Sequence, residues 1–213
     1  MSDGLIVALD GDLWILNKPA GLLVHPGQDP SLPDLMAAAI AAGAPPGLAP
    51  CHRLDLETSG LVLASPDPAL RGQIGRWLAE GQVVKRYRAL VHGRTHKKGT
   101  VSRALPDERR GRALTATTRF RRLEWLGPFT LVSARPETGR KHQIRRHLQS
   151  IGHAIIGDVR YPPKHPRNVP AFPGRLWLHA ASIELPDRRF FEAPLAPELA
   201  AHLSVLRALN PAP

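Results

Sequence analysis

The order of the predicted strands and helices is the feature that most limits the fold of this chain. Alternating or continuous apolar runs predict strands, and apolar residues spaced three or four apart predict helices. The two kinds of element do not alternate regularly, and several strands follow one another directly. This order favours an α+β fold with a mixed, largely antiparallel sheet and flanking helices over a doubly wound parallel fold.

Strand patterns occur along most of the chain. The first two flank the turn Asp10-Gly11-Asp12 and therefore predict a hairpin. Residues 61–64 form a continuous apolar run, which predicts a short buried strand. The predicted strands cover residues 5–9, 13–17, 61–64, 83–92, 114–120, 129–135, 176–183 and 189–191.

Helices are predicted where an apolar face lies between a start signal and a stop signal. Ser31 is the expected N-cap of the first helix, and Gly43 is its expected end. In the second helix Leu70, Ile74 and Leu78 fall on one face together with Trp77. The predicted helices cover residues 31–43, 67–81, 141–151 and 197–209. Residues 93–111 are predicted to be a loop or a mobile hairpin, and residues 161–174 a loop.

Length and composition limit the class of protein. The 213 residues suit one compact domain over residues 1–213, and we expect a monomer. The single cysteine, Cys51, excludes an internal disulfide and suits a reducing compartment. No apolar run approaches the ~20 residues of a membrane span. We therefore expect a cytoplasmic protein with no membrane partner.

The positive charge of the chain is concentrated in one segment. The formal net charge is +11, yet residues 1–60 hold seven acidic and two basic residues. Residues 94–122 hold ten Lys or Arg and two acidic residues. Such a block predicts a phosphate-binding surface, because cationic side chains that neutralise phosphates release condensed counterions. The alternative is an arginine-rich surface that is merely solvated.

Several common sites are absent from the sequence. It contains no Walker A loop, no Gly-x-Gly-x-x-Gly after a strand, no Cys-x-x-Cys and no His-x-x-x-His. His142 and His147 are five residues apart on a predicted helix and do not share a face, so we expect surface or RNA-facing histidines. We therefore expect no metal site.

Asp55 is the strongest candidate for chemistry. It lies between Arg53 and a Thr-Ser-Gly turn, just before the predicted buried strand. An arginine such as Arg145, one of two in tandem on a predicted helix, keeps a partly buried carboxylate ionised. An aromatic ring such as Tyr87 stacks on an unstacked base. Taken singly, each residue also has an ordinary interpretation: a turn residue, a surface ion pair and a half-buried core residue.

Together these motifs resemble the RNA pseudouridine synthases of the RluA type. Residues 52–61 and 138–148 carry the most specific part of the likeness. The further matching blocks are residues 17–26, 85–90 and 175–180. Within this family, residues 139–148 and 153–158 are most similar to the tRNA pseudouridine-65 synthase (TruC-like) branch. Many members of the family carry an S4 RNA-binding domain, and the resemblance leads us to expect a single catalytic domain over residues 1–213 without it.

The resemblance implies an enzyme that isomerises uridine in structured RNA, here tRNA, without a cofactor or metal. The N1–C1′ bond breaks and a C5–C1′ bond forms. By motif position Asp55 is the catalytic aspartate, Arg145 its ionic partner and Tyr87 the residue that stacks on the base and assists proton loss from C5. The resemblance leaves open whether Asp55 attacks C1′ or removes a proton from C2′ through a glycal.

Further residues are implied to bind RNA. Arg53 matches the residue that fills the space of the flipped uridine or contacts RNA, and Leu178 matches the residue that packs against the flipped base. The matching motifs also place Lys18, Arg140 and Lys141 at RNA. This is consistent with the physical requirement that the target base leave its stack and enter a central cleft.

Three other functions compete with this interpretation. The first is a pseudouridine synthase whose target is large-subunit ribosomal RNA. The second is a non-catalytic RNA-binding or RNA-folding protein with the same fold. The third is a hydrolase or nuclease that uses Asp55. A metal nuclease gathers several carboxylates, and only Glu57 lies near Asp55 in the sequence.

Overall fold

The computed structural model describes residues 4–26, 33–108 and 110–211. The described strands are β1 (Ile6–Asp10), β2 (Leu13–Lys18), β3 (Ala49–Pro50), β4 (Ser59–Ser65), β5 (Val84–His92), β6 (Lys98–Ser102), β7 (Leu105–Asp107), β8 (Arg112–Leu114), β9 (Thr117–Leu126), β10 (Phe129–Pro136), β11 (Leu178–Glu184) and β12 (Phe190–Glu192). The described helices are α1 (Leu35–Ala41), α2 (Pro68–Ala79), α3 (Gln143–Ser150) and α4 (Pro197–Leu209).

The chain forms two compact units. Unit 1 comprises residues 1–84 and 180–194, and unit 2 comprises residues 85–179 and 195–213. The chain passes from one unit to the other within β5, within β11 and between β12 and α4. Because two such units can belong to one domain, the expected single domain over residues 1–213 stays a prediction.

The core of unit 1 lies between its sheet and α2. The strands are ordered β1-β2-β4-β11, with β12 beside β11 and β3 beside β4. All seven residues of β4 are buried, including residues 61–64, for which the apolar run predicts a buried strand. Leu13, Ile15, Leu61 and Leu63 pack with Ile74 of α2 in one apolar cluster. This cluster fixes β4, which directly follows the segment that contains Asp55.

Helix α2 forms as its sequence predicts. The carboxylate of Asp67 accepts hydrogen bonds from the backbone N–H groups of Ala69 and Leu70, and Pro68 occupies the first turn. Leu70, Trp77 and Leu78 pack against the apolar cluster of unit 1, together with the fully buried Ile74. The predicted apolar face is therefore confirmed.

Unit 2 is built around a second run of strands, in the order β5-β10-β9-β6. Strand β10 pairs antiparallel with both β5 and β9, and β6 pairs antiparallel with β9. Trp177 is fully buried, and its indole N–H donates to His202 of α4 at 3.0 Å. Helix α3 lies against β9 through Gln143 and His147, whose side chains contact Thr118.

Two local predictions need correction. Helix α1 is capped by Asp34, whose carboxylate accepts from the N–H of Ala37 at 2.9 Å, whereas the predicted cap, Ser31, lies outside the described residues. Residues 93–111 are not a loop, since they contain β6 and β7; β7 pairs antiparallel with β8, so the hairpin alternative is nearer to the structure. Strand β6 pairs with β9 and has mostly exposed side chains. An exposed edge strand lacks the apolar alternation from which strands are predicted.

These elements make an α+β fold with a mixed, largely antiparallel sheet and four helices in the described part of the chain, so the predicted fold class is confirmed. Within the same residues, every helix is too short or too polar to cross a membrane.

Gly60, at the start of β4, lies where two strands of unit 1 approach each other closely. It has φ 112, and a Cβ atom there would overlap the backbone of Ala180. Gly60→Ala should lower the free energy of unfolding by about 3 kcal/mol or more, because neither the backbone angle nor the neighbouring strand can adjust cheaply. Urea unfolding measures the change.

Gly75→Ala is the matched control. Gly75 lies within α2, and a Cβ there would meet no atom within 4 Å. Alanine at this position should be neutral or stabilise by up to about 1 kcal/mol, since it favours the helix. Equal stability of the two variants would contradict the close approach at Gly60.

Candidate active site

The segment that contains Asp55 is a short loop anchored to β4. The ring Nε2 of His52 accepts a hydrogen bond from the N–H of Leu63 at 3.1 Å. The N–H of Thr58 donates to the carbonyl of Asp55 at 3.0 Å, which closes a turn around the aspartate. Asp55 is half-buried, so its carboxylate is partly shielded from solvent without being enclosed. The loop that carries this carboxylate is therefore anchored to β4.

Lys18, at the end of β2, supports the Asp55 loop from inside unit 1. Its side chain is fully buried, and its ammonium donates to the carbonyls of Pro19 at 2.9 Å, Leu22 at 2.7 Å and Leu56 at 3.0 Å. The N–H of Gly21 also donates to the Leu56 carbonyl at 2.9 Å. Residues 18–22 are thus tied to the residue that follows Asp55.

This placement does not fit the predicted contact of Lys18 with RNA. An ammonium that is enclosed by protein and bound to three carbonyls holds backbone segments together, whereas a phosphate contact needs an accessible donor. Lys18 is better described as a positioning residue for the Asp55 loop.

Tyr87 lies on β5 of unit 2 and is 9% exposed. Its Cα is paired with Ala134 of β10. Lys85 lies on the same face of β5, two residues earlier, and burial lowers the pKa of its ammonium. Arg86 and Arg88 alternate to the opposite face. Tyr87 therefore occupies the less charged face of its strand, as the sequence predicts.

Arg145, on α3, is buried in a bidentate ion pair with Asp158. Its Nε donates to Oδ2 and its Nη2 donates to Oδ1, each at 2.8 Å, and the two side chains are 2% and 0% exposed. Oδ1 also accepts from the N–H groups of Arg160 at 3.0 Å and Tyr161 at 2.9 Å. The parallel N–H···O bonds fix the plane of the guanidinium, and its Nη1 group lies outside this pair.

Tyr161 completes the surroundings of Arg145. The Arg145 guanidinium carbon lies 5.5 Å from the centre of the Tyr161 ring. His142 has the left-handed φ of 53 just before α3, and its Nδ1 lies 3.1 Å from the Tyr161 hydroxyl. Asp158 and Tyr161 are absent from the predicted site. The signal available in the sequence was weak: Asp158 is the one acidic residue between Glu137 and Glu184.

The remaining predicted site residues have varied surroundings. Arg53 and Lys141 are exposed, and Leu178 is buried at the start of β11. Arg140 is half-buried, with its Nε donating to the carbonyl of Thr115 at 3.2 Å. Exposed cations suit contact with a phosphate, whereas Leu178 offers an apolar surface from within the fold.

For His147 the prediction of a surface or RNA-facing side chain is wrong. Expected at the surface, it is fully buried, with its ring nitrogens 2.9 Å from the Thr118 hydroxyl and 2.9 Å from the Arg103 carbonyl. Burial lowers its pKa, so the neutral ring is favoured. His147 thus joins α3 to β9 instead of facing a ligand.

The predicted site residues are divided between the units. Asp55, Arg53 and Lys18 belong to unit 1. The unit 2 residues are Tyr87, Arg140, Lys141, Arg145 and Leu178. Among the residues that the structure describes, no three His, Cys, Asp or Glu side chains are grouped so that they could hold a metal ion.

Comparison with known proteins gives one consistent result. A family model described as RNA pseudouridylate synthase matches residues 12–150, a range that contains Asp55, Tyr87 and Arg145. The chain is 33% identical over 221 residues to a Bacillus subtilis protein named uncharacterized RNA pseudouridine synthase YlyB, and the match covers 93% of this chain and 71% of that protein.

A second relative and a solved structure agree. The chain is 35% identical over 222 residues to a Nitrosomonas europaea protein named ribosomal large subunit pseudouridine synthase D, which covers 94% of this chain and 64% of that protein. Both relatives are therefore longer than this chain. The structure named human RNA pseudouridylate synthase domain containing 4 is 25% identical with a TM-score of 0.80, covering 97% of this chain and 95% of that one.

Lys18→Met tests the support of the Asp55 loop. Methionine keeps most of the length of the side chain but leaves three carbonyls without their shared donor. The free energy of unfolding should fall by about 3 kcal/mol, since a buried polar group that loses its partner costs ~1–3 kcal/mol. Urea unfolding measures the loss.

Lys164→Met serves as the control, because Lys164 is exposed and its replacement should change stability by less than about 0.5 kcal/mol. If Lys18→Met were as stable as this control, the three carbonyl contacts would not support the loop.

Asp158→Asn tests the buried ion pair. The amide cannot replace the charge of the Asp158 carboxylate beside the buried guanidinium, and breaking this buried ion pair should destabilise the protein by about 3–5 kcal/mol. Asp187→Asn is the matched control, because Asp187 pairs with Arg189 at 2.7 Å on the surface. Exposed pairs contribute ~0.2–1 kcal/mol. Chemical unfolding of both variants should show this difference, and equal losses would contradict it.

Proposed function

This chain belongs to the RNA pseudouridylate synthase family, and we propose that it isomerises a uridine in large-subunit ribosomal RNA to pseudouridine. The observation that supports the activity most directly is the family match over residues 12–150, which includes all three proposed catalytic residues. The reaction is balanced within one nucleotide: the N1–C1′ bond breaks, a C5–C1′ bond forms, C5 loses a proton and N1 gains one. Such an isomerisation consumes no co-reactant.

The choice of ribosomal RNA rests on the names of relatives. The Nitrosomonas europaea relative, 35% identical, is named for the large ribosomal subunit. This favours the ribosomal alternative over the tRNA target that residues 139–148 suggest by their similarity to the pseudouridine-65 branch. A tRNA target is therefore kept as a distinct outcome of the experiments below, and an enzyme of either kind would work in the cytoplasm.

Asp55 is proposed as the catalytic residue. Its loop is held by His52 against β4 and by Lys18 against residues 19–22, which supports a carboxylate kept in one position. A preformed geometry lowers the entropic cost of reaching the transition state. Asp55 acts at the ribose, either on C1′ as a nucleophile or on the C2′ proton, and both routes need an ionised carboxylate.

Arg145 is proposed to keep that carboxylate ionised and aimed. This role comes from the motif match of residues 138–148. The structure supports a fixed guanidinium, because Asp158 binds Nε and Nη2 and thereby orients Nη1. Asp158 would then be a positioning residue that acts through Arg145.

The other roles concern the base and the RNA backbone. Tyr87 is proposed to stack on the flipped uracil and to assist loss of the C5 proton, and Leu178 to pack against the base. Arg53 would fill the space that the uridine leaves. Arg140 and Lys141 would bind phosphates, which position the RNA without selecting its sequence. Flipping costs a few kcal/mol, and stacking on an aromatic ring offsets part of it.

Asp55→Asn tests the proposed chemistry. The amide preserves the size of the side chain but has neither the charge nor the basicity of a carboxylate. Pseudouridine formation should fall by about a thousandfold or more, whereas the affinity for RNA should change by less than about threefold, as expected when a group acts in the transition state alone. Tritium release from ribosomal RNA labelled at C5 of uridine measures the rate, and filter binding measures the affinity.

Glu57→Gln is the control, because Glu57 is a half-buried carboxylate in the same loop. It should retain most of the activity. Full activity in Asp55→Asn would reject Asp55 as the catalytic residue.

The target is tested by mapping pseudouridines in a strain that lacks the gene. One position in large-subunit ribosomal RNA should lose its pseudouridine and regain it when the wild-type gene, but not the Asp55→Asn gene, is restored. A loss confined to tRNA would overturn the proposed target but not the activity. Unchanged ribosomal RNA and tRNA would favour the non-catalytic RNA-binding alternative.

A further inference from the structure

One face of the unit 2 sheet carries a row of cationic side chains. Residues directly opposite each other in antiparallel strands point to the same side. Arg121 of β9 is opposite Ser133 of β10, and Ser133 is opposite Arg88 of β5. The same register pairs Lys98 with Arg121 and Arg135 with Arg119, and alternation adds Arg86. We call this set the arginine face: Arg86, Arg88, Lys98, Arg119, Arg121 and Arg135.

The arginine face is on the opposite side of the sheet from Tyr87. Tyr87 is paired with Ala134, and alternation directs these two residues away from Arg88 and Ser133. Helix α3, which carries Arg145, packs on the Tyr87 side through contacts of Gln143 and His147 with Thr118. The arginine face is therefore separate from the proposed base-binding side of unit 2.

Helix α4 covers one end of this side of the sheet and leaves the other end exposed. Leu203 and Arg207 of α4 border a pocket together with Leu131 and Arg88. Beyond this end, Lys98, Arg121 and Arg135 are exposed, and the side chain of Arg119 is 63% exposed. A cationic surface from three adjacent strands, β6, β9 and β10, is thus open to a ligand.

The arrangement is electrostatically unfavourable in the protein alone. Like charges directly opposite each other destabilise a sheet, and the register creates two such pairs, Lys98 with Arg121 and Arg119 with Arg135. On this side of the sheet the described structure places Glu137, which binds Arg119 at 2.6 Å, and Glu124, which is opposite Leu131 and binds Arg207 of α4 at 2.8 Å. A polyanion would relieve the repulsion, and guanidinium groups bind phosphate oxygens in a bidentate manner.

We propose that the arginine face is a second RNA-binding surface, which binds backbone phosphates of the same ribosomal RNA at a distance from the target uridine. The proposal rests on the proposed function for the identity of the polyanion. Because the arginine face and Tyr87 lie on opposite sides of the sheet, contact with both needs an RNA large enough to reach around unit 2, which favours a large folded RNA over a short stem-loop. The arginine face therefore suits a large RNA and adds affinity without reading sequence.

The test removes three exposed charges of the arginine face in one variant, Lys98→Gln with Arg121→Gln and Arg135→Gln. Arg119 is retained because of its pair with Glu137. The control removes three exposed charges elsewhere: Arg76→Gln, Lys164→Gln and Arg167→Gln. Both variants lose the same net charge, so the comparison separates the position of the charges from their number.

Binding of an unmodified large-subunit ribosomal RNA transcript is measured over a range of salt concentrations. The arginine-face variant should bind about tenfold to a hundredfold more weakly at low salt. The slope of log K against log salt should fall by about two to three, since each lost phosphate contact removes ~0.7–0.9. The control should change affinity by less than about threefold. The unfolding midpoint of the arginine-face variant should not fall, because its substitutions remove repulsion.

Two outcomes would overturn the proposal. In one, the arginine-face variant keeps the affinity and salt slope of the wild type; in the other, the control loses as much affinity as the arginine-face variant. Wild-type protein that forms no pseudouridine would instead refute the proposed activity, and the binding comparison would stand independently of that result.

Discussion

The buried ion pair between Arg145 and Asp158 is the interaction on which the proposed chemistry of unit 2 depends. Two parallel N–H···O bonds of 2.8 Å hold the guanidinium, and two backbone N–H groups hold the carboxylate in turn. A buried charge is tolerated where its partner and its hydrogen bonds are complete. The pair contributes less as a source of stability than as a device that gives Arg145 a single orientation.

Unit 1 uses the same physical device with a different residue. The buried ammonium of Lys18 joins residues 19 and 22 to Leu56, and so restrains the loop that carries Asp55. In unit 1 a buried cation thus supports the loop of a residue proposed to be catalytic, and in unit 2 the buried cation is itself such a residue. Both cations are held by fixed acceptors, and this geometry keeps side chains in place before substrate binds.

The unit 2 sheet separates two kinds of surface. Its Tyr87 side is packed by α3 and contains neutral, buried groups such as Thr118 and His147. Its other side combines the apolar contact with α4 and the exposed arginine face. The period of two along each strand places the proposed base-binding side and the proposed phosphate-binding side on opposite faces of the sheet without any additional element.

The sequence by itself determined the features that depend on neighbouring residues. The first hairpin, the buried strand β4, the capped helix α2, the α+β class and the motif around Asp55 all follow from local patterns. Tertiary structure alone decided the burial of Lys18, the pairing of Arg145 with Asp158, the burial of His147 and the pairing of β6. The third carbonyl that binds Lys18, for example, belongs to a residue 38 positions away. These depend on which distant segments meet, and hydrophobic periodicity does not encode that information.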